Sequence, residues 1–533
     1  MSAPGKILFL MHAHLPYVHH PEYDRFFEEN WLFEAMAETY LPLVQAMRRL
    51  LEKGVPGTLN LSVSAPLIEM LSNERLIDKF SEHLNKQLEL IQKEVRLNEG
   101  KPQESLSKFY LERQKTLIDT WERRINRNLL GEFLELENAG KLNLLTCVGT
   151  HPFLPAYQSD PESIRLQLDV SVRCFERAFG RKPQGVWLPE CGYFPGLDKY
   201  LAEYGIRYFF LETHGALLAS PPPKYGVFTP LKTTQGLYCM GREQKSSMEV
   251  WSRRTGYPGH PEYREFFKDI AQERPKDYLG DYFFAGETPI DSGFKYNRIT
   301  GSENKELYRP WNAMCLARDH AHLFVVNRET TISELLVNME GNKACMLCPY
   351  DAELFGHWWF EGPLFLEAML ERAASSNVIE FAGADQVMTS SADPEVHEPA
   401  FSSWGEGGFG SVWINGETDQ YYPQSYRLRA MIQHLKSIQE RMGALGKKNG
   451  KLMNRYIKQM ERELMLFQSS DWAFMIHNHS AEGYARRRLD EHYNNGHALF
   501  AEACKAVLKN SDKLAPSSIL PKLEKDDCIF SWL

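Results

Sequence analysis

Short apolar runs separated by stretches of helical period set the frame of this chain. Lys6 to Met11, Leu142 to Val148, Gly185 to Leu188, Tyr208 to Leu211 and Ala344 to Leu347 are strand-like, mostly apolar segments, and Thr58 to Ser64 alternates as a strand does. Between them, Pro161 to Phe179 and Leu197 to Tyr204 repeat apolar positions every three or four residues and predict helices. Strands alternating with helices predict an α/β protein with a parallel sheet, either a barrel or a doubly wound sheet. From about residue 73 to 140 the period is helical throughout, as in Leu88 to Val95 and Trp121 to Ile125, with a turn at Gly100 to Pro102. A helical insertion out of the main domain is expected there. Residues 221–259 and 285–308 are long, irregular and rich in Gly, Pro and aromatics. Loops of that size are usually functional, and the first is expected to act as a lid. Beyond Pro399 the pattern is helical again from about Gln424 to Leu508, broken near Gly446 to Gly450. The expected division is a catalytic domain over residues 1–400 and a C-terminal all-helical domain over residues 401–533.

Composition narrows the partners. A formal net charge of -9, spread along the chain, leaves no basic face for nucleic acid. No apolar run approaches the length needed to cross a membrane. The apolar Ile7 to Met11 ends in His12-Ala13-His14, which is no signal-peptide cleavage site, so a cytoplasmic location is the default expectation. Nine cysteines, an odd number in mostly apolar surroundings, fit reduced thiols. Cys345 and Cys348 lie in one strand-like run with no second pair, which favours core thiols over zinc.

Several apolar runs end in groups that carry chemistry. His12 and His14, two apart, can face one side of the first strand, which suits a metal site as well as the floor of a sugar site. His151 follows another strand, in Gly149-Thr150-His151. Glu190 follows Val186-Trp187-Leu188 and should be shielded from water; either it caps the next helix or it does chemistry. Cys191, beside it, has no evident His partner and is the weaker nucleophile candidate. Asp351, before Glu353 to Trp359, has the same two readings. His357, Trp358, Trp359 and Glu361 crowd that helix start, a poor way to build a simple core. Trp404-Gly405-Glu406-Gly407-Gly408-Phe409 adds a glycine-rich loop bearing aromatics. Strand-end acids among aromatic rings are the equipment of glycoside chemistry in a barrel.

These residues carry a resemblance. His12-Ala13-His14-Leu15-Pro16-Tyr17, Gly149-Thr150-His151, Trp187 to Tyr193, Asp351 to Trp359 and Ser403 to Gly408 match, in order, the motif regions of glycoside hydrolase family 57. Within it the chain looks most like the 1,4-α-glucan branching enzymes. Gly256 to Gly259, Tyr263 to Phe266, Lys295-Tyr296, Arg298 to Gly301 and Ser469 to Trp472 support this. The resemblance implies a distorted (β/α)7 barrel with a helical insertion and a C-terminal helical domain. It implies a retaining enzyme that cleaves an α-1,4 bond and passes the chain to a glucan 6-hydroxyl. Glu190 would be the nucleophile and Asp351 the general acid/base. His12, His14 and His151 would line the donor sugar, Trp358, Trp359 and Trp404 would give stacking surfaces, and Asp471 and Trp472 would complete the binding site. No metal and no organic cofactor is expected, and the partner is an α-glucan such as amylose or a glycogen-like polymer. The sequence selects no oligomeric state.

The chain departs from the pattern in places. Asp269-Ile270-Ala271 leads to Gln272 where branching enzymes carry an aromatic, and Phe409 is followed by Gly410 where a second aromatic is usual. The lid tyrosine of the family would be Tyr238 or Tyr225. The competing expectations are a 4-α-glucanotransferase or α-amylase of the same family, a metal-dependent deacetylase, and a catalytically weakened glucan-binding protein.

Overall fold

The computed structural model of the protein describes residues 5–252, 254–339, 343–388, 395–444, 450–509, 513–515 and 518–533. Its strands are β1 (Gly5–Ala13), β2 (Leu59–Val63), β3 (Leu142–Cys147), β4 (Gly185–Trp187), β5 (Tyr208–Leu211), β6 (Leu231–Thr233), β7 (Tyr238–Gly241), the short pair β8 (Phe284–Ala285) and β9 (Thr288–Pro289), β10 (Ala344–Asp351), β11 (Ile379–Phe381) and β12 (Val396–His397). β10, β1, β2, β3, β4, β5 and β7 follow one another, each parallel to the next. A parallel bridge between Arg242, just past β7, and Leu347 of β10 brings the two ends together. The result is a seven-stranded parallel barrel, the expected α/β class. β11 pairs with the first residues of β1, and β6 with β12 extends the sheet beside β7.

Both faces of the strands are covered, so β1 reads as a nearly continuous apolar run, while β2 alternates Leu59, Leu61 and Val63 with the buried polar Asn60 and Ser62. Alternate residues of β1 separate cleanly. Ile7, Phe9 and Met11 pack outward into the main core, whereas Leu8 and Leu10 point inward to Leu145, Cys147, Trp187, Tyr208, Phe210, Met240 and Leu347. Trp187 is fully buried in this inner layer. Truncating such a ring to alanine costs about 3–5 kcal/mol. The same alternation carries His12 inward at the end of β1, and Asp351 inward at the end of β10. The register sets these two residues side by side.

Helices Glu74–Leu97, Glu104–Asp119 and Leu129–Asn138 fill the expected insertion. Leu76, Phe80, Leu84 and Trp121 join the same core as the outer barrel face, so the insertion is a layer laid on the barrel. Helices Tyr421–Ala444, Gly450–Phe467, Ser470–His477, Glu482–Leu508 and Leu520–Asp526 form the C-terminal region. Most of the break expected near Gly446 to Gly450 lies outside the described residues. Residues 221–259, the stretch expected to act as a lid, also supply β6, β7 and helix Gln244–Trp251. Arg253, inside that stretch, lies outside the described residues. No helix among the described residues is long and apolar enough to cross a membrane. All nine cysteines are free thiols, and Cys345 and Cys348 are buried on β10.

Candidate active site

Leu188 ends the extended run of β4, and the chain then turns sharply through Pro189–Cys191. Glu190 and Cys191 both take the left-handed conformation, with φ of 61° and 50°, which non-glycine residues rarely adopt. Strain of this kind persists only where the surroundings enforce it. Here Cys191 N–H donates to Leu188 O and Trp404 N–H donates to Glu190 O, at 2.9 and 2.8 Å. The turn aims the Glu190 carboxyl over the barrel mouth. Its two oxygens are each claimed: Ser470 Oγ donates to Oε1 at 2.7 Å, and the Trp404 indole Nε1–H donates to Oε2 at 2.7 Å. Burial pushes the Glu190 pKa up to about 7, with those two donors acting in the opposite sense. The helix-cap alternative is excluded, since both oxygens bond elsewhere.

Asp351 sits at the end of β10 next to His12. Burial raises its pKa well above the ordinary range, and the charges of Glu353, Glu190 and Asp471 push the same way. Glu353, two residues on, is buried and accepts a hydrogen bond from Tyr40 OH; burial lifts it to about 7. Donors thus favour the ionised form of Glu190, whereas each neighbouring charge favours a protonated Asp351. Unequal carboxyls of this kind can share nucleophile and acid roles.

The histidines form a stack beside Glu190. His14 and His151 ring centroids are 3.9 Å apart, and His12 lies 5.1 Å from His151 and 5.4 Å from Trp187. Burial first, then the neighbouring imidazoles, lowers the pKa of His12 and keeps it neutral. Burial and His14 do the same for His151. With Glu190 ionised, one hydrogen-bond direction satisfies the row. His12 Nε2–H donates to His151 Nε2 (3.0 Å), His151 Nδ1–H to Ser470 Oγ (2.8 Å), and Ser470 to Glu190. In parallel, Ser64 Oγ donates to His14 Nδ1 at 2.8 Å, and His14 Nε2–H to Asp471 at 3.0 Å. Burial would raise Asp471, yet His14 and its hydrogen bonds hold it down at about 2.

His12, His14, His151, Glu190, Asp351, Trp404 and Asp471 are therefore brought together. Trp404 lies over Trp187 at 5.0 Å and edge-on to Trp251 at 5.7 Å. Trp358 is 52% exposed on the Asp351 loop. Trp359 and Trp472 are not surfaces for a ligand: each is 1% exposed. Trp359 packs on Phe365 and Tyr263, and the Trp472 indole donates to Leu466 O. Tyr238 is the first residue of β7, at the end away from Arg242, and Tyr225 is half-buried against the main core. Gln272 is exposed and bonds Asp291, while Gly410 has a φ of 80° and a Cβ there would lie 2.8 Å from Phe153, so this backbone refuses a second aromatic.

Glu353, Tyr40 and the part-buried Glu212–Arg242 pair (2.7 Å) at the ends of β5 and β7 were given no role by the sequence, nor was Ser470, which was quoted only within the Ser469 to Trp472 stretch. Ser470 sits in a helical tail, and only the fold brings it over β4. Among the described residues, potential metal ligands form two overlapping sets at this site, first His14, His151 and Asp471 and second His12, Cys147 and His151, and a third set, Glu463, His492 and Asp527, in the helical tail, each set lying within 4.8 Å. In the first set the ring nitrogens and the carboxylate already bond one another or nearby hydroxyls, so the set is satisfied without an ion.

Comparison with known proteins agrees with this architecture. The family model for glycosyl hydrolase family 57 matches residues 8–311, and that for the 1,4-alpha-glucan branching enzyme C-terminal region matches residues 434–533. The 1,4-alpha-glucan branching enzyme TK1436 of Thermococcus kodakarensis is 33% identical, over 94% of this chain and 74% of that protein. Its crystal structure superposes with a TM-score of 0.87 at 31% identity, covering 99% of this chain and 95% of that one. The alpha-amylase AmyC of Thermotoga maritima superposes with a TM-score of 0.88 at 36% identity, covering 100% and 98% of the two chains.

Proposed function

Since the chain belongs to glycosyl hydrolase family 57, we propose that it is a retaining 1,4-α-glucan branching enzyme, with Glu190 as nucleophile and Asp351 as general acid/base. The observation that carries this reading is the Glu190 carboxylate, held by the Ser470 hydroxyl and the Trp404 indole at the mouth that Asp351 shares. Asp351 gives its proton to the glycosidic oxygen as the C1–O4 bond breaks. A Glu190 oxygen bonds to C1, and the shortened chain leaves with a free 4-hydroxyl. Asp351, now ionised, takes the proton of an acceptor 6-hydroxyl, whose oxygen attacks C1 and releases Glu190. The neutral His12 and His151, whose ring nitrogens bond one another and Ser470, wall the donor site without adding charge near the oxocarbenium-like transition state. His14, stacked on His151 and bonded to Asp471, extends the same wall.

Hydrolysis is the second reading, favoured by the similarity to the Thermotoga maritima amylase. It needs the same carboxyls and differs only in water replacing the acceptor sugar. Incubation with amylose separates the two. Branch points well in excess of new reducing ends, lost in Glu190→Gln and Asp351→Asn, are expected; reducing ends alone would make the protein a hydrolase. The free thiols suit a reducing compartment, which fits work inside the cell on a glycogen-like polymer.

A further inference from the structure

The loop that carries Asp351 also carries a rigid aromatic ledge at the surface. Trp358 stacks flat on Phe266, with centroids 4.1 Å apart and planes 18° from parallel. The Lys295 ammonium lies 4.5 Å from the Phe266 centroid, fixed by Asp291 at 3.1 Å and by the Phe266 carbonyl. Phe267 adjoins Phe266 at 5.0 Å with its ring turned by 87°. Phe266 is thus held as an underlay, while Trp358 and Phe267 remain 52% and 55% exposed. At the edge stand His357, perpendicular to Phe266 at 5.2 Å, and Glu34, which lies 3.8 Å from His357 Nε2.

Trp358 and Phe267 each keep about half of their surface in water, so part of the stabilisation that burial of large rings can give is left unused. Flat apolar faces rimmed by an imidazole and a carboxylate do suit a glucose unit, which offers C–H faces to rings and hydroxyls to polar groups. The side of the cleft follows from the chemistry. Asp351 protonates the oxygen of the departing sugar, and by microscopic reversibility the acceptor hydroxyl must reach that same oxygen position. The ledge hangs on the loop of the acid, whereas Trp404 bonds the nucleophile. The loop is pinned tightly: Trp358 N–H donates to Glu353 O at 3.1 Å, His357 N–H to Thr39 Oγ1 at 3.1 Å, and His357 Nδ1 bonds Glu38 at 3.0 Å.

We infer that Trp358 and Phe267, with Phe266 as positioning residue beneath, form the acceptor-side subsite, docking the α-1,4-glucan chain whose 6-hydroxyl is glycosylated. The inference rests on the branching reading of the preceding subsection. Two measurements test it. In the catalytically silent Glu190→Gln background, Trp358→Ala and Phe267→Ala should each weaken maltoheptaose binding roughly fivefold by calorimetry, the loss of one aromatic contact. In the active enzyme the same substitutions should lower branch points per new reducing end by a similar factor, as water wins more of the glucosyl-enzyme. Trp358→Phe and Phe267→Tyr, which keep a ring, should restore both readouts and exclude misfolding as the cause. Unchanged binding together with an unchanged ratio would overturn the inference. Weaker binding with an unchanged ratio would place the ledge on the donor side and overturn it as well. A wild-type protein that makes no branch points would fail the functional reading by itself, before any ledge variant is examined.

Discussion

Glu190 does its work through a conflict between burial and hydrogen bonding. Its pKa near 7 places the acid limb of the rate profile there, because the nucleophile must be ionised: turnover should fall as pH drops below about 7. Ser470→Ala removes a donor that favours the charged form, so the limb should move up by roughly one pH unit, as a pH series of initial rates would show. Asp351→Asn should cost roughly 10²–10⁴-fold in transfer, measured by branch points formed. The same burial has a stability cost. A carboxyl whose folded pKa exceeds its ordinary 4.5 contributes full stability below that value and loses it as pH rises through about 7. Glu190→Gln should therefore melt above wild type at pH 8 and level with it at pH 4. The position of Glu190 after an apolar strand was legible in the sequence, as were the three histidines, because each ends a strand-length run. Ser470 stood within the Ser469 to Trp472 stretch that supports the resemblance, but its role was not legible, since nothing in a helical tail announces a hydroxyl that reaches β4. Trp359 misled for the opposite reason: its neighbour Trp358 is exposed, and two adjacent tryptophans read alike until the loop turns one of them inward.

Elements placed the site where parity along strands dictates. The alternation that sends Leu8 and Leu10 into the barrel also sends in His12, and six parallel barrel strands were visible as apolar runs. The seventh, β7, was hidden in a stretch that looked like loop: it has four residues, preceded by Thr234-Gln235-Gly236-Leu237 and followed by Arg242-Glu243. It is specified by pairing with β5 and by the bridge to Leu347, both long-range. The acid loop depends on Gly356, whose φ is 139° and whose absent Cβ would lie 2.0 Å from Glu38 O. That backbone oxygen belongs to the π-helical turn Met36–Tyr40, an irregular turn of a kind frequent at functional sites, which also delivers Tyr40 to Glu353. Gly356→Ala should displace the loop, lower the melting temperature and reduce turnover, and a melting curve beside a rate assay would register both.

At the scale of the whole molecule, barrel and helical tail share one hydrophobic core, in which Phe9 and Met11 of β1 belong to the same cluster as Met465 and Trp472. The tail is also stitched to the barrel, Gln167 of helix Pro161–Phe179 bonding Gln468 at 3.0 Å and Ser470 N–H donating to His151 O, just past β3, at 2.8 Å. A single calorimetric unfolding transition is expected, and two separate peaks would contradict this account. The division into a catalytic domain and a tail, natural from sequence, therefore does not mark a functional border: the Glu190 carboxylate comes from one side of it and both of its donors, Trp404 and Ser470, from the other. The consequence reaches anyone recombining such enzymes. A chimaera cut in the segment ahead of Ser469 would take its nucleophile from one parent and the hydroxyl that steadies it from the other. Only parents whose tails present a serine-aspartate pair at the same height should give live offspring, however well each half folds, so shuffling libraries should be crossed within the barrel and the tail inherited whole together with β4.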